Sequence, residues 1–454
     1  MDRELGNETV LRTRAFDVVV VGGGPAGLQA AYAAAVAGAS CALIEREERP
    51  GGILKQCIHD GFGVFRFGQR LTGPEYACRE VASLRSASVP QITSAFVHSI
   101  ERTERRWRLT VVTPEHAVEI VECSALVMAT GCRERTDRQV LLHGDRPAGM
   151  FTAGQAQRLI NVNGVMPGRR IAILGSGDIG LIMARRLTLE GAEVIGVYEM
   201  KSEPSGLPRN IAQCLEDWNI PLHLSTTVTE VHGTDRVQAI TVRPVGPDGH
   251  PVRSSARRVA CDTLVLSVGL IPENDSIVDL GVELDPITRG PIVDQHRETV
   301  VPGLFVCGNA LHVYDLVDYV SECGGIAGRS AAELSRMDGQ RSRRTVTVTP
   351  AGETVYQVPQ RVDVSASRPP VFFFRVARRH DHATLEIEHD GTVLVRRRLS
   401  FLSPPEMVRF APRREEWDAV RSKISANASS GIVFRVSAAT GSQNAGARME
   451  SAYA

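Results

Sequence analysis

The order of apolar and polar residues predicts strands and helices in alternation from the start of the chain. Residues 16–21 form a short, β-branched apolar run, which is typical of a strand buried on both faces. A glycine-rich turn at 22–27 and an alanine-rich stretch follow, and we expect a helix that ends at about Gly38. Residues 41–44 form the next apolar run, which ends at Glu45. This pattern predicts a strand–turn–helix–strand unit.

The same unit is repeated near the middle of the chain. An apolar run at 170–174 precedes a glycine-rich turn at 175–180, and a second apolar run at 193–198 ends at Glu199. The alternating segments that follow each unit predict a β-meander in both halves. A duplicated unit of this kind favours two nucleotide-binding domains of similar build.

We therefore predict an α/β fold with two Rossmann-like, three-layer dinucleotide-binding domains, each with a β-meander, and a small β-rich C-terminal appendage. The expected boundaries are 15–148 together with 290–338 for the first, discontinuous domain, 149–289 for the second domain and 341–412 for the appendage. Residues 1–14 and 422–454 are expected to be flexible tails, with 432–436 as the candidate for one strand.

Charge and cysteine content narrow the range of partners. The chain has 52 Lys+Arg and 52 Asp+Glu, and this balance gives no electrostatic reason to expect nucleic acid or an anionic membrane. Its nine cysteines include no C-x-x-C pair, which predicts a reduced, cytoplasmic protein without a disulfide framework or a metal site. Residues 1–14 lack the apolar core of a secretory signal, and the apolar stretch 25–44 is mostly alanine and glycine. We expect no membrane insertion.

The first glycine-rich turn has the spacing G-x-G-x-x-G that dinucleotide-binding turns use. Its first glycine permits the tight turn, its second lets the backbone approach a pyrophosphate, and its third lets helix and strand pack closely. The acid that ends the next strand is placed to accept hydrogen bonds from a ribose diol. The expected cofactor contacts in this unit are Gly22, Gly24, Pro25, Ala26, Gly27, Glu45 and Arg46.

The second turn repeats the spacing, and its acid bears on which nucleotide binds. Glu199 favours NAD(H) over NADP(H), because a 2′-phosphate would meet a like charge, although Lys201 nearby weakens that preference. The alternative is a degenerate domain that binds nothing. The expected contacts are Gly175, Gly177, Asp178, Ile179, Gly180 and Glu199.

The order of these motifs resembles that of the two-dinucleotide-domain flavoproteins, the glutathione and thioredoxin reductase superfamily. The resemblance implies FAD at the first site and NAD(P)H at the second. The motif Cys307-Gly308-Asn309 resembles one whose last residue is usually Asp and binds the ribityl chain, so Asn309 departs from the pattern by lacking the charge. The resemblance adds the contacts Gly52, Ala129, Thr130, Gly131, Gly269, Gly308 and Asn309.

A narrower resemblance extends over most of the chain. Residues 51–63, 131–135 and 311–315 are similar to those of the NAD/FAD subunit of bacterial multi-component dehydrogenases, the group around opine oxidase, hydrogen cyanide synthase and a glycerol-3-phosphate dehydrogenase-like system. This implies a separate FAD-dependent dehydrogenase chain and a small cysteine-rich electron carrier as partners, and homo-oligomers are compatible with it. No cysteine follows Cys323, so the C-terminal part cannot hold a cysteine-ligated iron–sulfur cluster.

Cys57 and His59 are the candidate catalytic residues, because the superfamily leads this part of the chain past the flavin ring. A thiol with an imidazole two residues away suits a thiolate of lowered pKa. The alternative is a Cys packed as a small hydrophobe and a His that orients the loop.

The expected reaction is hydride transfer between nicotinamide C4 and flavin N5 in an electron-transfer subunit of a multi-component dehydrogenase. Two other functions stay open. One is a free-standing NADH oxidase or single-cysteine disulfide reductase that uses Cys57. The other is a non-catalytic nucleotide-binding scaffold.

Overall fold

The computed structural model of the chain describes residues 12–104, 106–337, 343–426 and 431–439. Up to residue 144 the elements are β1 (Arg12–Val21), α1 (Pro25–Val36), β2 (Cys41–Ile44), β3 (Asp60–Phe62), α2 (Val64–Phe67), β4 (Leu71–Thr72), α3 (Gly73–Ser86), β5 (Gln91–Ile92), β6 (Phe96–Arg102), β7 (Trp107–Thr113), β8 (Ala117–Met128), β9 (Cys132–Glu134) and β10 (His143–Gly144). From 150 to 272 they are β11 (Met150–Thr152), α4 (Ala153–Asn161), β12 (Arg170–Leu174), α5 (Asp178–Leu189), β13 (Glu193–Tyr198), α6 (Pro208–Cys214), β14 (Leu222–His223), β15 (Thr226–His232), β16 (Ala239–Pro244), β17 (Arg257–Ala260), β18 (Thr263–Leu266) and β19 (Leu270–Pro272). From 304 onward they are β20 (Leu304–Val306), α7 (Val317–Ser335), β21 (Thr345–Gly352), β22 (Thr354–Val358), β23 (Arg361–Asp363), β24 (Phe372–Val376), β25 (His380–His389), β26 (Thr392–Leu402), β27 (Val408–Phe410), α8 (Arg414–Ala426) and β28 (Ile432–Ala438).

The first domain is built on a seven-stranded sheet in the order β5-β2-β1-β8-β7-β6, with β20 paired to β8. Strands β1 and β8 run parallel over their whole shared length, from Arg12 opposite Glu119 to Val21 opposite Met128. The sequence predicts two strands at 118–123 and 125–128, but β8 is continuous and joins the meander to the parallel sheet. The expectation that residues 12–14 belong to a flexible tail is wrong, because their backbone pairs with β8.

Helices α1 and α7 pack unusually closely over this sheet. A Cβ atom added to Gly324 would lie 2.1 Å from the carbonyl oxygen of Ala26, and one added to Gly328 would lie 2.0 Å from that of Ala30. Only glycine permits this approach of one helix backbone to the other. It brings the end of β20 beside the start of α1, where the glycine-rich turn lies.

The second domain has a five-stranded parallel sheet in the order β11-β18-β12-β13-β14 and a four-stranded sheet in the order β10-β15-β16-β17. Its boundaries differ from those expected. Strand β10 lies before residue 149 but pairs with β15 of this domain. Ile277 and Val282 lie before residue 290 but are buried in the core of the first domain. A two-stranded link, β19 with β9, joins the two domains.

The C-terminal domain consists of a five-stranded sheet, β23-β21-β28-β25-β26, a three-stranded sheet, β22-β24-β27, and helix α8. The expectation of a tail at 422–454 is wrong for the described part, because α8 continues to Ala426 and β28 lies between β21 and β25. Strand β28 is central because it pairs with β21 on one side and with β25 on the other, and its alternation places Ile432, Phe434 and Val436 in the core. The expected boundaries at 338 and 341 lie outside the described residues, as do residues 1–11 and 440–454 of the two tails.

The predicted α/β fold with two Rossmann-like domains and a β-rich appendage is confirmed.

Candidate functional site

The first glycine-rich turn connects β1 to α1 and depends on two close backbone approaches. Gly22 has a φ of 105° and donates its N–H to the carbonyl of Ile44 at 2.8 Å. A Cβ at Gly27 would lie 1.8 Å from the carbonyl oxygen of Gly22, so helix and turn are in direct contact. A Cβ at Gly24, in contrast, would meet no atom within 4 Å. The turn is therefore closed at Gly22 and Gly27 and open at Gly24.

Helix α1 begins at this open point. Pro25 is its first residue, and Gly24 at the N-cap provides no side-chain cap. The N–H groups of the first helical turn have no partner within the helix, and the N-terminus carries a partial positive charge. Such an end suits an anionic group, and phosphates commonly bind there.

Glu45 stands at the end of β2 beside the turn and is 7% exposed. Its Oε2 atom accepts the N–H of Gly23 at 2.5 Å, and its Oε1 atom accepts the N–H of Glu47 at 2.8 Å. The two backbone donors fix the carboxylate and leave acceptor positions for a ribose diol. Arg46 next to it is exposed.

Three further segments surround the open side of the turn. Gly52 has a φ of 55°, and a Cβ there would lie 2.9 Å from the Cα of Gly24. Beyond Ala129, the Thr130 hydroxyl donates to the carbonyl of Glu273 at 2.6 Å. Gly131 has a φ of 76°, and a Cβ there would meet no atom within 4 Å. The chain thus leaves room at both Gly24 and Gly131.

The segment after β20 reaches the same place. A Cβ at Gly308 would lie 2.6 Å from the Cβ of Ala26, so this turn packs on the start of α1. Asn309 accepts the N–H of Tyr314 at 3.1 Å through Oδ1, and its amide nitrogen lies 3.6 Å from Sγ of Cys132. The amide is oriented by its own loop without the charge of the usual Asp.

The second turn repeats the geometry of the first. A Cβ at Gly175, whose φ is 99°, would lie 2.0 Å from the carbonyl oxygen of Ser267. At Gly180 a Cβ would lie 2.8 Å from the carbonyl oxygen of Gly175, and at Gly177 the nearest atom would be 3.7 Å away. Gly269, with a φ of 102°, follows the strand that supports the turn.

Glu199 of the second turn receives the same two backbone bonds as Glu45 and two more from hydroxyls. Its Oε2 atom accepts the N–H of Ser176 at 3.1 Å, and its Oε1 atom accepts the N–H of Lys201 at 3.1 Å. The hydroxyls of Ser176, at 2.5 Å, and Ser205, at 3.1 Å, also donate to Oε2. Glu199 is 5% exposed, so this is a buried, fully oriented carboxylate.

Asp178 and Ile179 occupy the first turn of α5 in different ways. Oδ1 of Asp178 accepts the N–H of Leu207 at 2.9 Å and the amide of Asn210 at 2.7 Å. This oxygen is therefore used to hold segment 205–210 against the turn. Ile179 packs against the core of the second domain. Direct nucleotide contact by either side chain stays a prediction.

The surroundings of Cys57 do not favour a thiolate. Burial raises the pKa of the Cys57 thiol to about 12, and its sulfur lies 3.3 Å from the carbonyl of Ile53 and 3.8 Å from Oε1 of Gln157. Burial also lowers the pKa of His59, whose ring packs on Phe62. No hydrogen bond joins Cys57 and His59 within the described chain. The geometry fits a packed cysteine better, and catalytic roles for both residues stay predictions.

The loop that carries Cys57 also forms a domain contact that sequence reasoning missed. The buried amide of Gln56 donates to the carbonyl of Gly154 at 2.9 Å and to Oε1 of Gln157 at 3.0 Å. Asn161 on α4 donates to the carbonyl of Gln56 at 2.8 Å. These amides hold the loop of the first domain to a helix of the second. Nothing in the sequence pattern marks them, because isolated glutamines carry no motif.

Two other expectations concern metals and membranes. Among the residues that the structure describes, no three His, Cys, Asp or Glu side chains are grouped as metal ligands would be. In the same part of the chain, no helix is both long enough and apolar enough to cross a bilayer.

Two matched turns, each with an oriented acid and a helix N-terminus, define a two-dinucleotide oxidoreductase of the flavoprotein type. A family model described as pyridine nucleotide-disulphide oxidoreductase matches residues 16–324, which is more than half of the chain. The chain belongs to this family. Its members bind FAD and use pyridine nucleotides.

Curated relatives are parts of larger enzymes by name. The HcnB component of hydrogen cyanide synthase from Pseudomonas protegens is 30% identical over 340 residues, which cover 70% of this chain and 68% of HcnB. One component of the opine oxidase of Agrobacterium tumefaciens is 26% identical over 70% of this chain, and the match spans 63% of that protein. The chain therefore spans about two thirds of the length of these relatives.

Among solved structures, thioredoxin reductase of T. acidophilum has a TM-score of 0.59 at 20% identity, over 71% of this chain and 99% of that one. L-proline dehydrogenase of P. horikoshii has a TM-score of 0.53 at 20% identity, over 74% of this chain and 58% of that one. At these identities the likeness shows the fold alone.

The first site fits FAD on the geometry of its own residues. The space over Gly24 and Gly131 lies beside the uncapped start of α1, which suits a pyrophosphate. Glu45 is held where an adenosine ribose would meet it, and Asn309 is held across the turn from α1. The residues at this turn therefore have the chemistry that a pyrophosphate and a ribose require, and the individual contacts stay predictions.

Proposed function

We propose that this chain is an FAD-dependent NAD(H) oxidoreductase that serves as the electron-transfer subunit of a multi-component dehydrogenase. The observation that carries the proposal is the pairing of two intact turns in one chain. In both, the acid at the end of the second strand accepts two backbone N–H groups at equivalent positions. Glu45 accepts those of Gly23 and Glu47, and Glu199 accepts those of Ser176 and Lys201. Both acids are therefore held in the same way beside their turns, as a ribose contact at each site would require.

The chain's own residues supply binding and orientation. Gly24 and Gly177 leave the backbone open to a pyrophosphate, and the starts of α1 and α5 present N–H groups to it. When bound, FAD supplies the capacity to exchange a hydride with a nicotinamide. The loop 52–57 lies beside the first turn, with Gly52 next to Gly24, and is anchored to the second domain through Gln56. This anchoring would orient the two sites and limit the access of water.

The second site is proposed to prefer NAD(H) over NADP(H). Glu199 places a negative charge where the 2′-phosphate of NADP would lie. The hydroxyls of Ser176 and Ser205 also donate to this carboxylate and fix its position. Lys201 contributes its backbone N–H to the same acid, so it is part of the cradle.

The state of the cysteines favours transfer of electrons from the flavin to a partner protein. All nine cysteines are free, and the pKa of Cys57, the cysteine on the loop beside the first turn, is raised rather than lowered. A disulfide reductase requires a reactive thiolate, so this alternative lacks support. Relatives named as subunits of hydrogen cyanide synthase and opine oxidase support the existence of a partner chain. We propose that this partner is an FAD-dependent dehydrogenase chain and that a small cysteine-rich electron carrier is a second partner.

The proposal is tested by anaerobic titration of the purified, FAD-loaded protein with NADH and, separately, with NADPH. Loss of flavin absorbance is the measurement. We expect NADH to bleach the flavin fully at close to one equivalent, and NADPH to require a much higher concentration. A flavin that neither nucleotide bleaches would contradict the proposal and favour a nucleotide-binding scaffold.

A further inference from the structure

The C-terminal domain lies outside the part of the chain that the family model matches. That match ends at residue 324, whereas the strands of the C-terminal domain begin at Thr345. The thioredoxin reductase of T. acidophilum is matched over 99% of its own length by 71% of this chain. A two-dinucleotide fold is therefore complete without this domain, and its contacts indicate what it adds.

The C-terminal domain binds the loop between Asn309 and helix α7 through one carboxylate of that loop. Asp315 forms an ion pair with Arg375 of β24, and it accepts the N–H of Met407 at 2.6 Å. Arg375 is held in turn by the hydroxyl of Tyr356 at 3.1 Å and by the carbonyl of Pro405. Both partners of the ion pair are less than one fifth exposed, so the contact is shielded from solvent.

A second polar contact joins the C-terminal domain to helix α7, which follows the loop. Arg409 makes two hydrogen bonds to the carboxylate of Glu322 on α7, at 2.8 and 2.7 Å. Between the two polar contacts, the fully buried ring of Phe373 packs on the rings of Tyr314 and Tyr319, with centroids 5.1 and 5.3 Å apart. The loop and the start of α7 are thus fixed by polar contacts at both ends and an aromatic contact between them.

The loop held by Arg375 includes Asn309, which is a candidate flavin contact. Tyr314, which precedes Asp315, donates its N–H to Oδ1 of Asn309 at 3.1 Å. Helix α7 then begins at Val317 with no side-chain cap at Leu316. A shift of Asp315 would therefore move both the amide of Asn309 and the free N–H groups of α7.

We propose that the C-terminal domain is a clamp that keeps loop 308–316 in its FAD-binding conformation, with Arg375 as the positioning residue. The inference rests on the proposed function, because it assumes FAD at the first site. Without Arg375, the carboxylate of Asp315 would be buried beside the helix start with no cation, and it would turn toward water and pull the loop with it. Arg375 is proposed to act on the cofactor site through Asp315, with which it forms the ion pair.

The test compares two arginines of the C-terminal domain in the full chain. Arg375→Met removes the ion pair with Asp315, and Arg396→Met removes an arginine whose ion pair with Glu386 lies within β25 and β26 on the surface. FAD release from each holoprotein is measured by the rise of flavin fluorescence on dilution, and the melting temperature of each apoprotein is measured in parallel. We expect Arg375→Met to weaken FAD binding about tenfold, or ~1.4 kcal/mol, and Arg396→Met to leave it unchanged. Arg375→Lys is expected to restore part of the affinity, because it keeps the charge opposite Asp315.

The outcomes are distinguishable. Equal FAD affinity in wild type, Arg375→Met and Arg396→Met would overturn the clamp but not the proposed function. Parallel loss of apoprotein stability and FAD affinity in both arginine variants would also overturn it, because the effect would then be general. If Arg375→Met does not fold, Asp315→Asn tests the same ion pair from the other side. A wild-type protein that binds no FAD would instead refute the proposed function.

Discussion

The two glycine-rich turns share their backbone hydrogen bonds and differ in what surrounds the acid. Glu45 is held by two backbone N–H groups, whereas Glu199 also receives the hydroxyls of Ser176 and Ser205. The third glycine differs as well. A Cβ at Gly27 would lie 1.8 Å from a backbone oxygen, but one at Gly180 would lie 2.8 Å from its nearest atoms. The first turn is thus the more tightly packed at its third glycine, and the acid beside the second turn has more hydrogen-bond donors around it.

The largest effect is expected from alanine at the third glycine of each turn. Gly27→Ala forces a Cβ into the carbonyl of Gly22, so we expect a loss of more than about 3 kcal/mol in the free energy of unfolding and no bound flavin. Gly180→Ala is expected to cost about 1–2 kcal/mol and to leave the flavin in place. Urea unfolding and flavin absorbance measure both. Equal losses in the two variants would contradict the difference in packing.

Substitution of the second glycine of each turn should affect nucleotide binding without affecting folding. A Cβ at Gly24 meets no atom within 4 Å, and one at Gly177 meets its nearest atom at 3.7 Å, so either alanine fits the folded protein. Each would occupy the space of a pyrophosphate. We expect Gly24→Ala to weaken FAD binding and Gly177→Ala to weaken NADH binding, each by about tenfold or more. Calorimetric titration with each nucleotide checks this, and a variant that loses both nucleotides would contradict the assignment of one to each turn.

Glu199 is expected to set the choice of nucleotide. Glu199→Gln removes the charge and keeps the shape, so NADH should bind about tenfold more weakly, and the preference over NADPH should shrink. Ser205→Ala removes one of three donors to Oε2, and its effect should be smaller, within about 1 kcal/mol. Flavin bleaching by NADH and NADPH gives both ratios. Unchanged discrimination in Glu199→Gln would exclude this acid as the selector.

The smallest effect on activity is expected at the loop between the two turns. Because burial raises the pKa of Cys57 to about 12, the thiol stays protonated near neutral pH. Its alkylation by iodoacetamide should therefore be slow at about pH 7 and rise about tenfold per pH unit, without a plateau below about pH 10. Mass spectrometry of the Cys57 peptide follows the reaction. Cys57→Ser should retain most NADH-dependent reduction of a dye. Loss of NADH-dependent turnover in this variant, with flavin still bound, would favour the single-cysteine reductase.

Much of the fold follows from local sequence patterns. Apolar runs and glycine spacing predict both strand–turn–helix–strand units, because each depends on residues close together in the chain. The errors lie where pairing partners are distant. Residues 12–14 are polar and look like a tail, but β8 gives them a partner more than one hundred residues away. The candidate strand at 432–436 is present as Ile432–Ala438, but its central place depends on β21 and β25, which are distant in the sequence.

The residues of the candidate site also differ in whether the sequence alone can reveal them. The glycines and acids of both turns can be found from their spacing, since the backbone geometry itself requires them. Ser205, Gln157 and Arg375 carry no such signal, because each acts on a residue that only the folded chain brings near. Ser176 is an intermediate case. It lies inside the second turn, and its hydroxyl is close to the acid wherever that turn forms.

In the proposed function, the two glycine-rich turns of one chain hold two different coenzymes at once. Isothermal titration of the FAD-loaded protein with NAD⁺, combined with measurement of the flavin that stays bound, tests it most directly. We expect one FAD and one NAD⁺ per chain, with no FAD released as NAD⁺ binds. Displacement of FAD by NAD⁺, or a total of one dinucleotide per chain, would contradict it.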